Sequence, residues 1–145
     1  MLLSHIKDQF DVVLGLAPFL VDSANDNSGS EQNGVALEIS NVANLSVLIP
    51  VNIPLVTEGE TVTIEARVEH SDESDSGFET YETLDSEVYT GTSEVTEFTD
   101  VLRYDVASFG AKKYVRVVVE VTLSATETDS CYAGVVVVKS GKDKV

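Results

Sequence analysis

The chain has two imidazoles, His5 and His70, and one thiol, Cys131. A hydrolytic triad needs a nucleophile, a base within hydrogen-bond reach and a group that orients the base. His5 sits in an apolar N-terminal segment and His70 at the end of a strand pattern, and no Gly-x-Ser-x-Gly turn accompanies either. Both read as partly exposed histidines without a catalytic task. A zinc site needs three or four ligands at usable spacing, and His5, His70 and Cys131 are far apart in sequence. A lone cysteine excludes an intrachain disulfide. Cys131 opens an apolar run and reads as a small buried thiol.

Carboxylates are the abundant reactive groups. Asp plus Glu number 25 against 9 Lys plus Arg, a formal net charge of -16. Asp72, Ser74, Ser76 and Gly77 match the early positions of a calcium loop, but Thr83 stands where the loop needs its bidentate Glu. The segment 70–77 therefore reads as a solvated hairpin turn. With so many acids, carboxylate pairs suited to glycoside hydrolysis arise by number alone. The chain has no Trp and no aromatic cluster to stack a sugar. Glycine-rich phosphate loops are absent. The acidic surface repels phosphate backbones, which argues against a nucleic-acid partner. The chain is expected to need no metal and no cofactor and to catalyse nothing. Lys112, Lys113 and Arg116 form the one local basic cluster. It either pairs with surrounding acids or contacts an acidic partner or a neighbouring subunit.

The elements that would position these residues are strands. The organising stretch is 114–139. Val115, Val117, Val119, Val121 and Leu123 alternate with Tyr114, Arg116, Val118, Glu120 and Thr122. That is period two with one uniformly apolar face. The run 132–138 is apolar on both faces, as in a central strand covered on each side. Polar residues 124–130 separate the two runs, which predicts a long antiparallel hairpin. Upstream, alternation marks strands over 35–39, 45–53, 62–69, 78–83 and 101–106, with weaker signals at 88–90 and 95–98. Pro50 and Pro54 argue that their strand is an edge or carries a bulge. The tally is roughly seven to nine strands, the pattern of an antiparallel all-β sandwich. No strand–helix alternation supports an α/β fold.

The N-terminal segment differs. Leu3, Ile6, Phe10, Val13 and Leu14 recur at helical spacing, which predicts an amphipathic helix within residues 2–16. The alternative is a short helix followed by a strand over 11–16. Lys7, Asp8 and Asp11 interrupt the segment, so it does not read as a signal peptide. No run of about 18 apolar residues could cross a membrane as a helix. Residues 22–34 are a polar linker with no face to bury. The expected organisation is an apolar helical or extended arm (1–21), the linker (22–34) and a sandwich domain (35–141). An extended linker of this length reaches up to about 40 Å. The arm can then dock on a neighbour through Leu3, Ile6, Phe10, Val13 and Leu14, or pack on its own sandwich. Docking on a neighbour predicts that a chain beginning at Ser30 still folds but loses self-association or attachment.

The ending GAKKYVRVVVEVTL…AGVVVVKSG resembles a Gly-x-Lys-Arg-Tyr-Val/Leu-Arg-Val pattern with a valine-rich last strand, found in small virion proteins of tailed bacteriophages. NGVALEISNVANLSVLIPV and ARVEHSDESDSGFETYE resemble that group's upstream strands, and together these stretches cover residues 33–141. Lys113 departs from the usual Arg, and Pro50 and Pro54 depart as well. The resemblance implies a β-sandwich without an active site, a capsid decoration, cement or minor head protein. It implies the major capsid protein or another virion protein as partner, self-association into a homo-oligomer, and a place on the virion's capsid surface after synthesis in the host bacterial cytoplasm. A tail or neck (head–tail connector) component of the virion is the second reading. A carbohydrate-binding β-sandwich module is the third.

Overall fold

Alternating apolar residues build the long strands. The computed structural model describes residues 10–141. Ten strands run through them, with no helix among the described residues. In chain order they are β1 (Phe10–Val21), β2 (Glu31–Asn33), β3 (Leu37–Glu38), β4 (Asn44–Leu55), β5 (Thr61–Ser71), β6 (Glu79–Thr83), β7 (Glu87–Thr90), β8 (Phe98–Ala107), β9 (Tyr114–Leu123) and β10 (Ser130–Ser140). A four-stranded sheet has the order β1-β10-β4-β8. A six-stranded sheet has the path β2-β9-β5-β6, with β3 beside β9 and β7 beside β5. All the pairings between these strands are antiparallel. The protein is an all-β antiparallel sandwich.

The core lies between the sheets. Val47, Ile49, Val51 and Ile53 of β4 and Val135 and Val137 of β10 meet Val62, Ile64 and Val68 of β5 and Val117, Val119 and Val121 of β9. Each is nearly or wholly inaccessible. Burying one such side chain stabilises by roughly 1.5–3 kcal/mol.

The expected hairpin does not form. β9 lies in the six-stranded sheet and β10 in the four-stranded one. Residues 124–129 cross between the sheets and are pinned at both ends. The Ser124 N–H donates to the Thr61 carbonyl at 3.0 Å. The Asp129 carboxylate, only 1% exposed, accepts from the Thr57 N–H at 3.1 Å and the Thr57 hydroxyl at 2.6 Å. Period two tells which side of a strand is buried, not which strand lies beside it. Two strands facing each other across a core satisfy the pattern as well as two paired strands do.

β4 is not an edge strand, but it carries the bulge its prolines suggest: its register with β10 slips between Asn52 and Leu55, around Pro54. Its pairing with β10 runs from Ala133–Val51 to Val136–Leu48. The interruption falls opposite Pro50, which has no N–H to donate. Towards β8 the register is unbroken, Pro50 lying opposite Val101.

The N-terminal helix is overturned where the structure describes it. β1 starts at Phe10 and pairs with β10 from Ser140 to Cys131. Leu3 and Ile6 lie outside the described residues. The register slips between Leu14 and Leu16 and again between Leu16 and Phe19. Phe10, Val12 and Leu14 point outward, while Val13, Leu16 and Phe19 pack on the core. The stretch 10–14 is thus apolar on both sides of a strand, and Phe10, Val13 and Leu14 show the three-and-four spacing of a helix without forming one. The alternative reading, a strand over 11–16, names part of β1.

The linker is built in as well. Asp22 caps a turn, its carboxylate accepting from the Asn25 N–H at 2.8 Å. The Gly29 N–H donates to the Val121 carbonyl at 2.9 Å, and β2 then pairs with β9. The Gly34 N–H donates to Val117 (2.8 Å) and the Val35 N–H to Gly15 (2.9 Å). This closes one long side of the sandwich, because Val117 is on one sheet and Gly15 on the other. The described sandwich therefore begins at Phe10 rather than at residue 35. Hydropathy misses such a segment because main-chain and Asx-turn hydrogen bonds hold it. Tyrosines close the other side. The Tyr81 hydroxyl donates to the Ala107 carbonyl and the Tyr104 hydroxyl to the Asp85 carbonyl, both at 2.6 Å. The Tyr89 hydroxyl donates to Asp100 at 2.8 Å.

Cys131 is fully buried in the core. Desolvation pushes its thiol up to about 12. The unfolded thiol ionises near pH 9, so the folded state holds the proton more tightly. The stability this contributes is complete below pH 9 and is lost as pH rises through about 12. The native thiol is expected to resist a thiol reagent at pH 8 and to react at once in denaturant. Thermal unfolding should fall progressively from about pH 9 upward, less steeply in Cys131→Ala. Burial raises the Tyr89 and Tyr104 hydroxyls too, so the slope should not vanish. Rapid native labelling would show that the thiol is accessible.

Candidate assembly face

The outward positions of the four-stranded sheet follow from its register. Val12 lies beside Val138, Ser46 and Asp105; Leu14 lies beside Val136, Leu48 and Arg103. Next come Pro50 with Val101, then Tyr132 with Asn52 and Thr99. Val12, Leu14 and Val101 are 64%, 56% and 57% exposed. With Phe10 and Tyr132 they make five of the ten large apolar side chains exposed among the described residues. Five on one face of one sheet form a patch, not a scatter. A shallow groove of about 280 Å³ crosses it, lined by Leu14, Pro18, Pro50, Val101, Tyr132 and Gly134, with Asp100 at its border. Gly134 lets β1 lie close over β10: a Cβ there would stand 3.2 Å from the Pro18 Cα.

Charge is nearly absent from this face. Among the described outward positions of its four strands, only Arg103 and Asp105 are charged. They lie 3.6 Å apart as an ion pair on β8. The outer face of the other sheet is the opposite. There Arg67 forks onto Glu31 at 2.8 and 3.0 Å, and both Arg67 and Arg116 reach the buried Glu69. The hydrogen bond from Arg67 holds the Glu31 carboxyl below its usual range.

The residues expected to make contacts divide between these places. Phe10 and Leu14 stand on the apolar face, while Val13 turns inward against the core. Lys112, Lys113 and Arg116 belong to the other side of the molecule. Lys112 Nζ lies 2.6 Å from Glu79, Lys113 sits 5.4 Å over the Tyr114 ring, and Arg116 lies 4.2 Å over Phe78. Lys112 and Lys113 border an open cleft of about 600 Å³ at one end, with Ile39, Asn41 and the 85%-exposed Phe109. Val12, Leu48, Pro50, Val101, Tyr132, Val136 and Val138 were not singled out by their spacing. Their signal was present in β10, a strand apolar on both sides. Its inner side meets the core, and no second layer of the described chain covers the outer side.

Elsewhere the polar groups serve the fold. His70 Nδ1 accepts from the Lys112 N–H at 3.1 Å, and its ring lies 5.0 Å from that of Tyr81. The 72–77 loop closes on itself, the Ser71 hydroxyl donating to the Ser76 carbonyl and accepting from the Glu73 N–H. Among the described residues no three of His, Cys, Asp and Glu converge as a metal site. An apolar sheet face offers water exclusion against another surface.

No family model matches the sequence. No curated protein matches it. Solved structures do. The structure of the infectious bursal disease virus Gt strain aligns at 10% identity and a TM-score of 0.49, covering 91% of this chain and 33% of that one. The CBM22-1–GH10 modules of a Clostridium thermocellum xylanase complexed with xylohexaose align at 11% identity and a TM-score of 0.46, covering 95% and 27%. The CBM22-1 xylan-binding domain from Paenibacillus barcinonensis aligns at 10% identity and a TM-score of 0.41, covering 94% and 88%. The chain thus spans about a third of the length of the viral chain it matches.

Proposed function

We propose that this chain is a non-enzymatic structural component of a tailed-bacteriophage virion, an auxiliary head protein that decorates and cements the capsid. The observation that carries this reading is the apolar face, whose only outward charges are the mutually paired Arg103 and Asp105, on a chain of net charge -16. A face of this kind is built to be covered, and so belongs to an assembly. The resemblance over residues 33–141 supplies the kind of assembly. The task is physical. A rigid sandwich supplies shape, apolar area buried between the subunits of the assembly stabilises at about 25 cal/mol per Å², and the acidic exterior keeps the particle soluble. The partner on the head is the major capsid protein.

The test uses heads that lack this protein. Purified chain is mixed with them, and co-sedimentation and the temperature at which the heads open are measured. Saturable binding and a raised opening temperature are expected. Binding to isolated tails or necks instead would move the protein to the connector. Binding to neither would refute a virion role.

A further inference from the structure

We propose that the apolar outer face of the four-stranded sheet is covered by the same face of a second copy, giving a two-fold dimer of sandwiches. This rests on reading the face as an assembly surface, and it commits that surface to one occupant.

Charge selects the occupant. Two chains of net charge -16 repel each other over most of their surfaces. They can approach closely where charge is missing. Among the described outward positions of this sheet, the Arg103–Asp105 pair is the only charge and sums to zero, and Asp100 at the border of the groove is held by the Tyr89 hydroxyl. A basic partner would instead seek the acids elsewhere on the molecule and gain nothing here. A second copy is the partner whose face lacks charge to the same degree.

Size agrees. Four strands about 4.8 Å apart and about ten residues long at about 3.3 Å per residue present a face of about 600 Å². Two such faces bury about 1,200 Å² together, the lower limit for a specific stable interface. The shape is suitable too. Two sheets pack face to face about 10 Å apart when their side chains interdigitate. Leu14, Val101 and Tyr132 supply the ridges, and the groove at Gly134 and Pro50 receives them. The same patch serves both copies, as an isologous two-fold interface requires. Edge-to-edge growth is disfavoured at β1, where the bulge after Leu14 and Pro18 break the outer ladder. The charged outer face of the other sheet and the loop ends stay free for the head.

Light scattering coupled to size exclusion tests this on the full isolated chain, without heads. The expected mass is twice 15.6 kDa. Leu14→Glu and Val101→Glu place carboxylates on exposed positions, so folding should survive, as far-UV circular dichroism will report. Each should weaken the dimer about 100-fold or more by burying unpaired charge. Val88→Glu, on an equally exposed site of the other sheet (51%), should leave it intact. Raising salt from about 0.05 to about 0.5 M should tighten the dimer by screening repulsion. A wild-type monomer, or a dimer indifferent to both face variants, overturns the proposal. So does a monomer whose face binds an apolar dye only after residues 1–8 are removed, because that segment would then be the cover. A dimer that binds neither heads nor tails refutes the virion role and leaves the dimer standing. Head binding by a monomer does the reverse.

Discussion

Removing residues 1–29 is expected to abolish folding. The deletion takes away β1 and the turn that follows it. Val21 is 1% exposed, and Val13, Leu16 and Phe19 pack against the same core. At roughly 1.5–3 kcal/mol per buried side chain, their loss alone costs about 6 kcal/mol. The whole stability of a domain is about 5–15 kcal/mol. The deletion also leaves β10 as an open edge, a valine-rich strand with unpaired N–H and C=O groups. The truncated chain, beginning at Ser30, should be insoluble or should lack a cooperative thermal transition by circular dichroism. A soluble product that melts where the full chain does would show that β1 is peripheral. The arm-and-linker reading of the sequence predicts that outcome, and the pairing of β1 with β10 opposes it.

Gly34→Ala is expected to cost about 3 kcal/mol or more, although it adds one methyl group in a polar segment. A Cβ on Gly34 would stand 2.5 Å from the Gly15 carbonyl oxygen and 2.6 Å from the Val117 carbonyl oxygen. Both are main-chain atoms, so no side-chain rotation relieves the contact. Relief would break the Gly34–Val117 and Val35–Gly15 hydrogen bonds that close the side of the sandwich. The midpoint of thermal unfolding should drop by about 10 °C. Gly59→Ala is the control. Gly59 has φ +80° but nothing within 4 Å of its Cβ position. It should cost only the left-handed backbone penalty, about 1 kcal/mol. If the two variants melt alike, the tie at Gly34 does not hold the sheets together.

Alternation in residues 45–53, 62–69 and 114–123 was enough to establish strands, their inward faces and an all-β sandwich. Each of those strands has one face in the core, and period two records that directly. Cys131 was legible as a buried thiol for the same reason. Other features were decided only by the tertiary structure. The segment 10–14 is apolar on both sides of its strand, so its spacing imitates a helix. The segment 22–34 is held by backbone hydrogen bonds, which leave no trace in hydropathy. The valine-rich runs of β9 and β10 look alike as hairpin partners and as opposed strands. The loop anchored by Asp129 chooses the second.

The candidate face shows the same division. Phe10 and Leu14 were named from spacing, but Val12, Leu48, Pro50, Val101, Tyr132 and Val136 come from four strands far apart in the chain. A strand apolar on both sides announces that two surfaces cover it. The inner one here is the other sheet of the same molecule. Sequence alone determined that β10 is apolar on both sides, because that property is carried by each side chain. Only the folded chain decided which side faces the core and which residues share the outer one, because the order β1-β10-β4-β8 is set by pairing between residues that no local pattern connects.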